Sequence, residues 1–599
     1  MVVSLPVREE VAREHTWAID SIYASPADWE AAFNALEARL PELEPFRGKL
    51  GESSATLLKW LELNTQLQVA AGHLFVYAQS SFDVDSNNQA AGALVGRAIG
   101  LYSRLGAASS FDTPEILAIE PARLDQFIAE QPGLKIYRHY FDNILRQRDH
   151  IRSAEVEELL ALAADPLQTP YNTYQVLSDG ELKFRDAVGA DATKAEVARG
   201  SIDKLLASPD RALRKSAWES YKDGFLSVKN TMASNLAGNI KTNVFGARAR
   251  RYPDALSASL ANSNIPNAVY QNVIDACNSH LPIWHRYWDI RRRALKLDKL
   301  EGFDIFAPLS TPVEVKYARA IDLICEGLAP LGADYVQTVR TGLTSERWVD
   351  VYPNKGKRGG AYSTGWYGTR PFILMSYNAR VEDVSTLAHE LGHSMHTWLT
   401  FKHQPFVYSG YSLFVAEIAS NFHQALVRAH LLKTITDRNF QIAVLEEAMH
   451  NFHRYFFIMP ILAQFELHIH RRIEAGEALT ADGMGDYLAA LYTKGYGSAV
   501  KVETPREGIT WAEFGHLYAN FYVYQYASGI AAANALADGV LSGESGAADR
   551  YLQFLKSGGS IYALDAVKLA GIDMTLPGSM DRGFKVFEGY VDRLENLLL

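Results

Sequence analysis

The stretch Leu387-Ala388-His389-Glu390-Leu391-Gly392-His393-Ser394-Met395-His396 constrains this chain more than any other. It holds the pattern His-Glu-x-x-His, whose natural conformation is a helix: at 3.6 residues per turn, His389 and His393 fall on one face, near enough to bind a single metal ion. Glu390 comes one residue after the first histidine. Its carboxylate can reach beside the ion without ligating it, where a general base for water must sit. A catalytic zinc site takes three protein ligands and keeps one position open, so the pattern demands a third ligand from elsewhere.

His396 lies on the same helix, but one straight helix rarely closes three sides of a tetrahedron, and His396 reads better as a packed polar residue. The metzincin pattern would need Gly and His where His396 and Leu399 stand, which excludes that family. Between Glu390 and Asp437 the only acid is Glu417, in a mostly apolar or basic segment from about 411 to 433 that reads as a second helix. Pro405, Ser409 and Gly410 can reverse the chain between the two helices and return Glu417 to the histidines. Ser420 and Asn421 follow one turn on, and either is a candidate to orient a ligand imidazole through its free nitrogen.

The rest of the chain reads as an ordinary globular protein of 599 residues, 48% hydrophobic and 21% charged, ample for a large core. A net charge of -10, with no Lys/Arg-rich block, argues against nucleic-acid binding and weakly favours cationic peptides. Cys277 and Cys325 alone make no disulfide framework, which fits a reducing cytoplasm, and both read as buried thiols. Met1 to Glu10 lack a basic start followed by a long apolar run, so no secretion signal is expected. No uninterrupted apolar stretch of about 18 residues suggests a membrane span.

Ser25 looks like a helix cap with Pro26 in the first turn, after which Trp29, Phe33, Leu36 and Leu40 recur at helical spacing. Similar periodicity through 54–80, 88–108, 121–147 and 153–163 makes the first 190 residues mainly helical, with a small lobe around 111–190. Pro166, Pro170, Asp179-Gly180 and Gly189 mark the best internal boundary, and Tyr171 to Phe184 reads as a small hairpin. The expected division is therefore 1–190, an N-terminal helical region, and 191–599, the domain that holds the metal helix. Helices resume at 194–207, 209–246, 266–297 and 312–344.

From Trp348 to Tyr377 five glycines stand among β-prone residues, the one convincing sheet. Phe372 to Tyr377 reads as an edge strand beside the metal helix, able to pair with an extended substrate backbone whatever its side chains. Gly359 and Gly360 lack the G-x-x-x-x-G-K-[ST] order of a phosphate loop, so a nucleotide site is rejected; they suit sharp backbone geometry or close approach of a peptide. The apolar segment 521–537 reads as a buried helix. Just before and into it, His516, Tyr518, Tyr522, Tyr524 and Tyr526 concentrate donors of the kind a tetrahedral oxyanion needs. On one unbroken helix His516 and Tyr524 would share a side, with the other tyrosines largely opposite; a break near Asn520 would redistribute these faces.

The metal motif, followed by Phe406-Val407-Tyr408 and Val415-Ala416-Glu417-Ile418-Ala419-Ser420, resembles oligoendopeptidase F, a bacterial relative of thimet oligopeptidase and neurolysin. Thr16 to Tyr23, Val349 to Tyr362 and Asn520 to Gly529 are similar to that family in the same order, so the resemblance covers nearly the whole chain. It implies a mainly α, large multi-helix zincin-type metallopeptidase, with a small β-sheet next to the HExxH helix and a deep substrate channel. The implied activity is a zinc-dependent endopeptidase that hydrolyses internal bonds of short, unfolded peptides. One Zn²⁺ would sit on His389, His393 and Glu417, with Glu390 assisting attack by zinc-bound water. It further implies His516 and Tyr524 as catalytic donors to the substrate carbonyl, and Tyr518, Tyr522, Gly359 and Gly360 as substrate-binding residues. One departure stands out: the family usually has an Asn-Glu pair where this chain has His423-Gln424, which bears on tuning of the metal rather than on the reaction class. The rival readings are a zinc carboxypeptidase on a similar scaffold and a catalytically silent helical peptide-binding protein.

Overall fold

The computed structural model describes residues 5–599, and the chain is about 70% helical. Met1–Ser4, where the reading for a secretion signal begins, lie outside the described residues. Among those described, no helix is long and apolar enough to cross a membrane.

Local sequence sets many helix starts. Ser25 accepts a hydrogen bond from the Asp28 N–H at the head of Pro26–Arg39, and Ser53 and Asn88 cap Ser54–Asp83 and Gln89–Ser109 in the same way. Prolines divide longer periodic stretches. The expected helix 266–297 is two, Asn267–Ser279 and Leu281–Ala294, since Pro282 opens the second with no N–H to continue the first. Pro330 likewise separates Tyr317–Gly327 from Ala333–Leu343, and 209–246 resolves into Arg211–Ser227 and Lys229–Ala249. The hairpin expected at 171–184 is absent: Pro170 begins a helix, Thr169–Gln175, which runs into a π-helical turn, Val176–Glu181. The antiparallel pair lies further on, Ala187–Val188 with Lys194–Ala195, so the helix expected from 194 is confined to Ile202–Leu206.

The chain forms two compact units, and both are discontinuous in sequence. The first comprises Met1–Arg148, Glu314–His430 and Gly539–Gly571; the second comprises Asp149–Val313, Leu431–Asp538 and Ile572–Leu599. The expected boundary near 190 falls inside the second unit. In the first unit the N-terminal helices share an aromatic core that includes Trp29, Phe33, Trp60 and Phe111. They do not fold apart from the metal helices, because Trp17, Val76 and Val84 pack on Phe372 and Leu374 of the sheet.

That sheet has three short strands, Val349–Asp350, Tyr362–Thr364 and Phe372–Leu374, in the order first, third, second. Phe372–Leu374 is thus the central strand and not the expected edge: it pairs parallel with Val349–Asp350 and antiparallel with Tyr362–Thr364. Its side chains alternate, so Phe372 and Leu374 share one face while Ile373, also buried, takes the other. The outer strand Tyr362–Thr364 carries a free edge and, like the central one, contacts the helix Val381–His403.

The second unit is built on aromatic packing among helices. Trp284 stacks on Trp288, and Phe587 of the final helix, Asp581–Leu598, lies with its ring centroid 4.5 Å from that of Trp284.

Candidate metal centre

Two helices of the first unit build the site. Val381–His403 carries His389, Glu390 and His393, and Leu413–Thr434 carries Glu417. A Cβ built on Gly392 would overlap the Ala419 carbonyl oxygen and the Ser420 Cα, so the helices meet backbone to backbone at the one residue type that permits it. That approach delivers Glu417. Its Oε2 lies 3.5 Å from His389 Nε2 and 3.9 Å from His393 Nε2, and the three ligand atoms all fall within 4.8 Å of one another. Donors about 2.1 Å from one tetrahedral ion stand about 3.4 Å apart, so the triad closes around such an ion with little adjustment. The two imidazoles retain 17% and 20% exposure, enough to leave one side of the triad open.

Electrostatics suit the same use. Burial, reinforced by His389 and opposed by Glu417, lowers His393 to about 4, so it is a neutral donor at pH 7. Glu390 is 6% exposed, and burial raises its pKa; His389 opposes that rise, Glu417 adds to it, and a backbone hydrogen bond from Ser363 on the outer strand also opposes it. The effect is a more basic carboxylate beside the triad. His396 stands apart from the group, its ring stacked 3.7 Å from Tyr411.

Ser420 and Asn421 do not orient an imidazole. The Ser420 hydroxyl donates to Glu417 Oε2 at 3.0 Å and so holds the carboxylate, while Asn421 Nδ2 donates to the Glu417 backbone carbonyl at 2.8 Å. The helix turns them toward their own i−3 and i−4 neighbours rather than across to the histidines. Gly359 and Gly360 are exposed and precede the outer strand. A Cβ at either would meet nothing within 4 Å, and only Gly360, at φ +86°, needs glycine for its backbone.

In the second unit, a cavity of about 1080 Å³ is lined in part by His516, Tyr518 and Tyr522. The segment is not one helix: Gly515–Tyr518 is a short 3₁₀ turn, Phe521 sits at φ +50°, and the helix Tyr524–Leu541 begins after it. Glu466 holds that break, its Oε1 accepting from the Phe521 N–H at 2.8 Å. The break redistributes the donors. His516 has its ring centroid 5.9 Å from those of both Tyr522 and Tyr526, whose hydroxyls are 2.9 Å apart. Tyr524 is 1% exposed, packs on Tyr270 with centroids 5.0 Å apart, and does not line the cavity. Burial, with Arg454 and Arg199 adding, lowers His516 to about 4.

Comparison with known proteins decides the family. The sequence profile of peptidase family M3 matches residues 204–586, and that of oligopeptidase F matches 115–184. The chain belongs to peptidase family M3. Its M3 relatives include oligopeptidase PepF of Bacillus subtilis, 38% identical over 99% of this chain and 89% of that protein. Group B oligopeptidase PepB of Streptococcus agalactiae is 34% identical over 99% of this chain and 98% of its own length. Among solved structures, a Chlamydophila abortus protein superposes with a TM-score of 0.91 at 32% identity, covering 99% of this chain and 100% of that one. Oligoendopeptidase-F from Enterococcus faecium gives 0.74 at 30% identity, over 95% and 99%. The M3 chain is accordingly a metalloendopeptidase, a hydrolase of peptide bonds.

The donor set of this M3 peptidase fits a zinc-type ion, and the residue that fixes it is one sequence reading did not single out as a partner. Gln424 Oε1 lies 3.1 Å from His389 Nδ1, which places the proton on Nδ1 and leaves Nε2 bare toward Glu417. The amide cannot turn freely, because its Nε2 donates to Ser385 Oγ at 2.8 Å, and Arg428 donates to the same oxygen at 3.4 Å. Gln424, Ser385 and Arg428 are all buried. The His423-Gln424 pair, read in the sequence as a departure from the resembled family, was the available signal, since Gln424 is the residue that meets His389.

Proposed function

We propose that the protein is a zinc-dependent endopeptidase of short, unfolded peptides. The carrying observation is the convergence of His389 Nε2, His393 Nε2 and Glu417 Oε2 with Glu390 buried beside them. A zinc ion held there supplies Lewis acidity, lowering the pKa of water toward about 7 and polarising the scissile carbonyl. Glu390 takes one proton from the attacking water onto its carboxylate. The water oxygen forms the new bond to the carbonyl carbon, the C–N bond breaks, and Glu390 hands its proton to the leaving nitrogen. The raised pKa of Glu390 supports both halves of that exchange.

The free edge of Tyr362–Thr364, beside Glu390, is the strand we assign to pairing with the substrate backbone, with Gly359 and Gly360 leading into it. His516 is assigned as a donor to the substrate carbonyl, with Tyr518 and Tyr522 contacting the peptide; exposure to the cavity supports all three. Tyr524 enters the same proposal on family resemblance alone. Cytoplasmic residence belongs to the proposal too, supported by two buried free thiols, Cys277 and Cys325.

The deciding experiment uses a quenched-fluorescence peptide blocked at both ends, with and without chelator. Metal-dependent cleavage at an internal bond is expected. Cleavage only of peptides with a free carboxyl terminus would make it a carboxypeptidase, and no cleavage of any peptide would leave a binding protein.

A further inference from the structure

We propose that the floor of the cavity in the second unit is a subsite for a cationic group of the peptide substrate, an ammonium or guanidinium held by Glu507. The proposal rests on the peptidase reading above and names a substrate class that reading leaves open.

Glu507 lines the cavity yet is only 5% exposed, and its carboxyl group takes no hydrogen bond among the described residues; Oε1 is fully enclosed and unpartnered. A buried carboxylate left this way costs free energy that a bound partner would return. Its neighbours do not discharge it. Lys222 is a cation that acts on it, but it is committed to Glu513 Oε1 at 2.5 Å and Thr510 Oγ1 at 2.8 Å, so two acids share one ammonium. Of the remaining cations on the lining, Arg199 is tied to Asp179 at 2.6 Å, and Arg454 is exposed to solvent, where its charge is screened. Burial, opposed by Lys222 and reinforced by Glu513 and Glu503, pushes Glu507 up to about 7, so a cation that enters displaces its proton and is bound more tightly as pH rises through that value.

The walls suit the same ligand. Trp218 and Tyr496 line the cavity with Glu507, and aromatic faces attract Lys and Arg cations; the Trp218 ring already has the Arg506 guanidinium 5.7 Å from its centroid, which leaves Tyr496 to the ligand. Gly302 completes the floor: a Cβ there would overlap Glu507 Oε1 and crowd the Trp218 ring, so the glycine keeps the carboxyl seated against the indole. His453, 4% exposed with Nε2 unpartnered, also lines the cavity, and burial first, then His450 and Arg291, lower it to about 3. It is neutral at pH 7, adding an unfilled polar atom without adding repulsion.

The test compares end-blocked peptides that differ only in lysine or norleucine at one position, scanned along the peptide, with a second arm carrying a free amino terminus. The metal-loaded enzyme is expected to favour lysine at one position by roughly tenfold in kcat/KM, mostly through KM, and Glu507→Gln to bring that ratio to about one. A gain confined to the free-terminus arm would assign the subsite to the terminal ammonium instead of a side chain. A wild-type ratio of one in both arms overturns the proposal, as does a preference that Glu507→Gln leaves intact. Calorimetric titration with N-acetyl-lysinamide does not need turnover: binding by wild type supports the subsite even if no peptide is cleaved, and no binding at millimolar probe removes it. Circular dichroism of the variant separates loss of the subsite from loss of fold.

Discussion

Ser420 stands so close to Gly392 that a Cβ built on the glycine would meet the Ser420 Cα at 2.5 Å. Gly392 lies between His389 and His393, and Glu417 lies one turn before Ser420, so this contact sets the separation of the three side chains. Gly392→Ala is expected to force the helices apart at a cost of about 1–3 kcal/mol. The melting temperature should fall by a few degrees, with weaker metal binding in competition against a chelator. An alanine variant with the wild-type melting curve and metal affinity would show that the helices are held by other contacts.

Gln424 bears on the proposed metal site through His389, whose Nδ1 lies 3.1 Å from its Oε1. Gln424→Ala frees the His389 ring to turn or change tautomer and should weaken metal binding roughly 10–100-fold. Gln424→Glu places a carboxylate on Nδ1, makes the imidazole a stronger donor, and should tighten binding. Metal competition titrations on the two variants decide the matter. Equal affinity in both would remove Gln424 from the site.

Glu417 and Glu390 are both carboxylates within the site, but they should separate cleanly on metal content. Glu417→Ala loses a ligand and is expected to purify with little bound zinc. Glu390→Gln keeps all three ligands, so its zinc content should match wild type while peptide hydrolysis falls by about 10²–10⁴. Undiminished turnover in Glu390→Gln would exclude this glutamate as the base.

Glu507 makes stability depend on pH. Its ordinary value of 4.5 applies in the unfolded chain, and burial raises it to about 7 in the native state. Below the unfolded value both states are protonated and nothing is lost. Between about 4.5 and 7 the unfolded chain gives up its proton while the native state keeps it, so stability falls as pH rises through this window and stays lower above it. The loss is on the order of 3 kcal/mol. Glu507→Gln should therefore flatten the melting temperature against pH relative to wild type across that range. Parallel profiles for the two proteins would refute the shift.

The local part of the candidate site was legible in sequence because a helix turn alone puts His389, Glu390 and His393 together. Glu417 was found by elimination among acids, and Ser25 and Pro26 announced a helix through chemistry that acts within one turn. Tertiary structure decided the rest. Phe372–Leu374 became central because strands from both sides pair with it, and strand order is not written in side-chain alternation. Ser420 and Asn421 bond to Glu417, and Gln424 reaches His389 35 positions away, because the crossing at Gly392 fixes which turn of one helix faces which turn of the other. The break at Phe521 depends on a carboxyl group 55 residues distant, and it sends Tyr522 to the cavity with His516 while Tyr524 goes to the core. Periodicity is a property of neighbours along the chain; the partner of each face is chosen only when distant backbones close on one another.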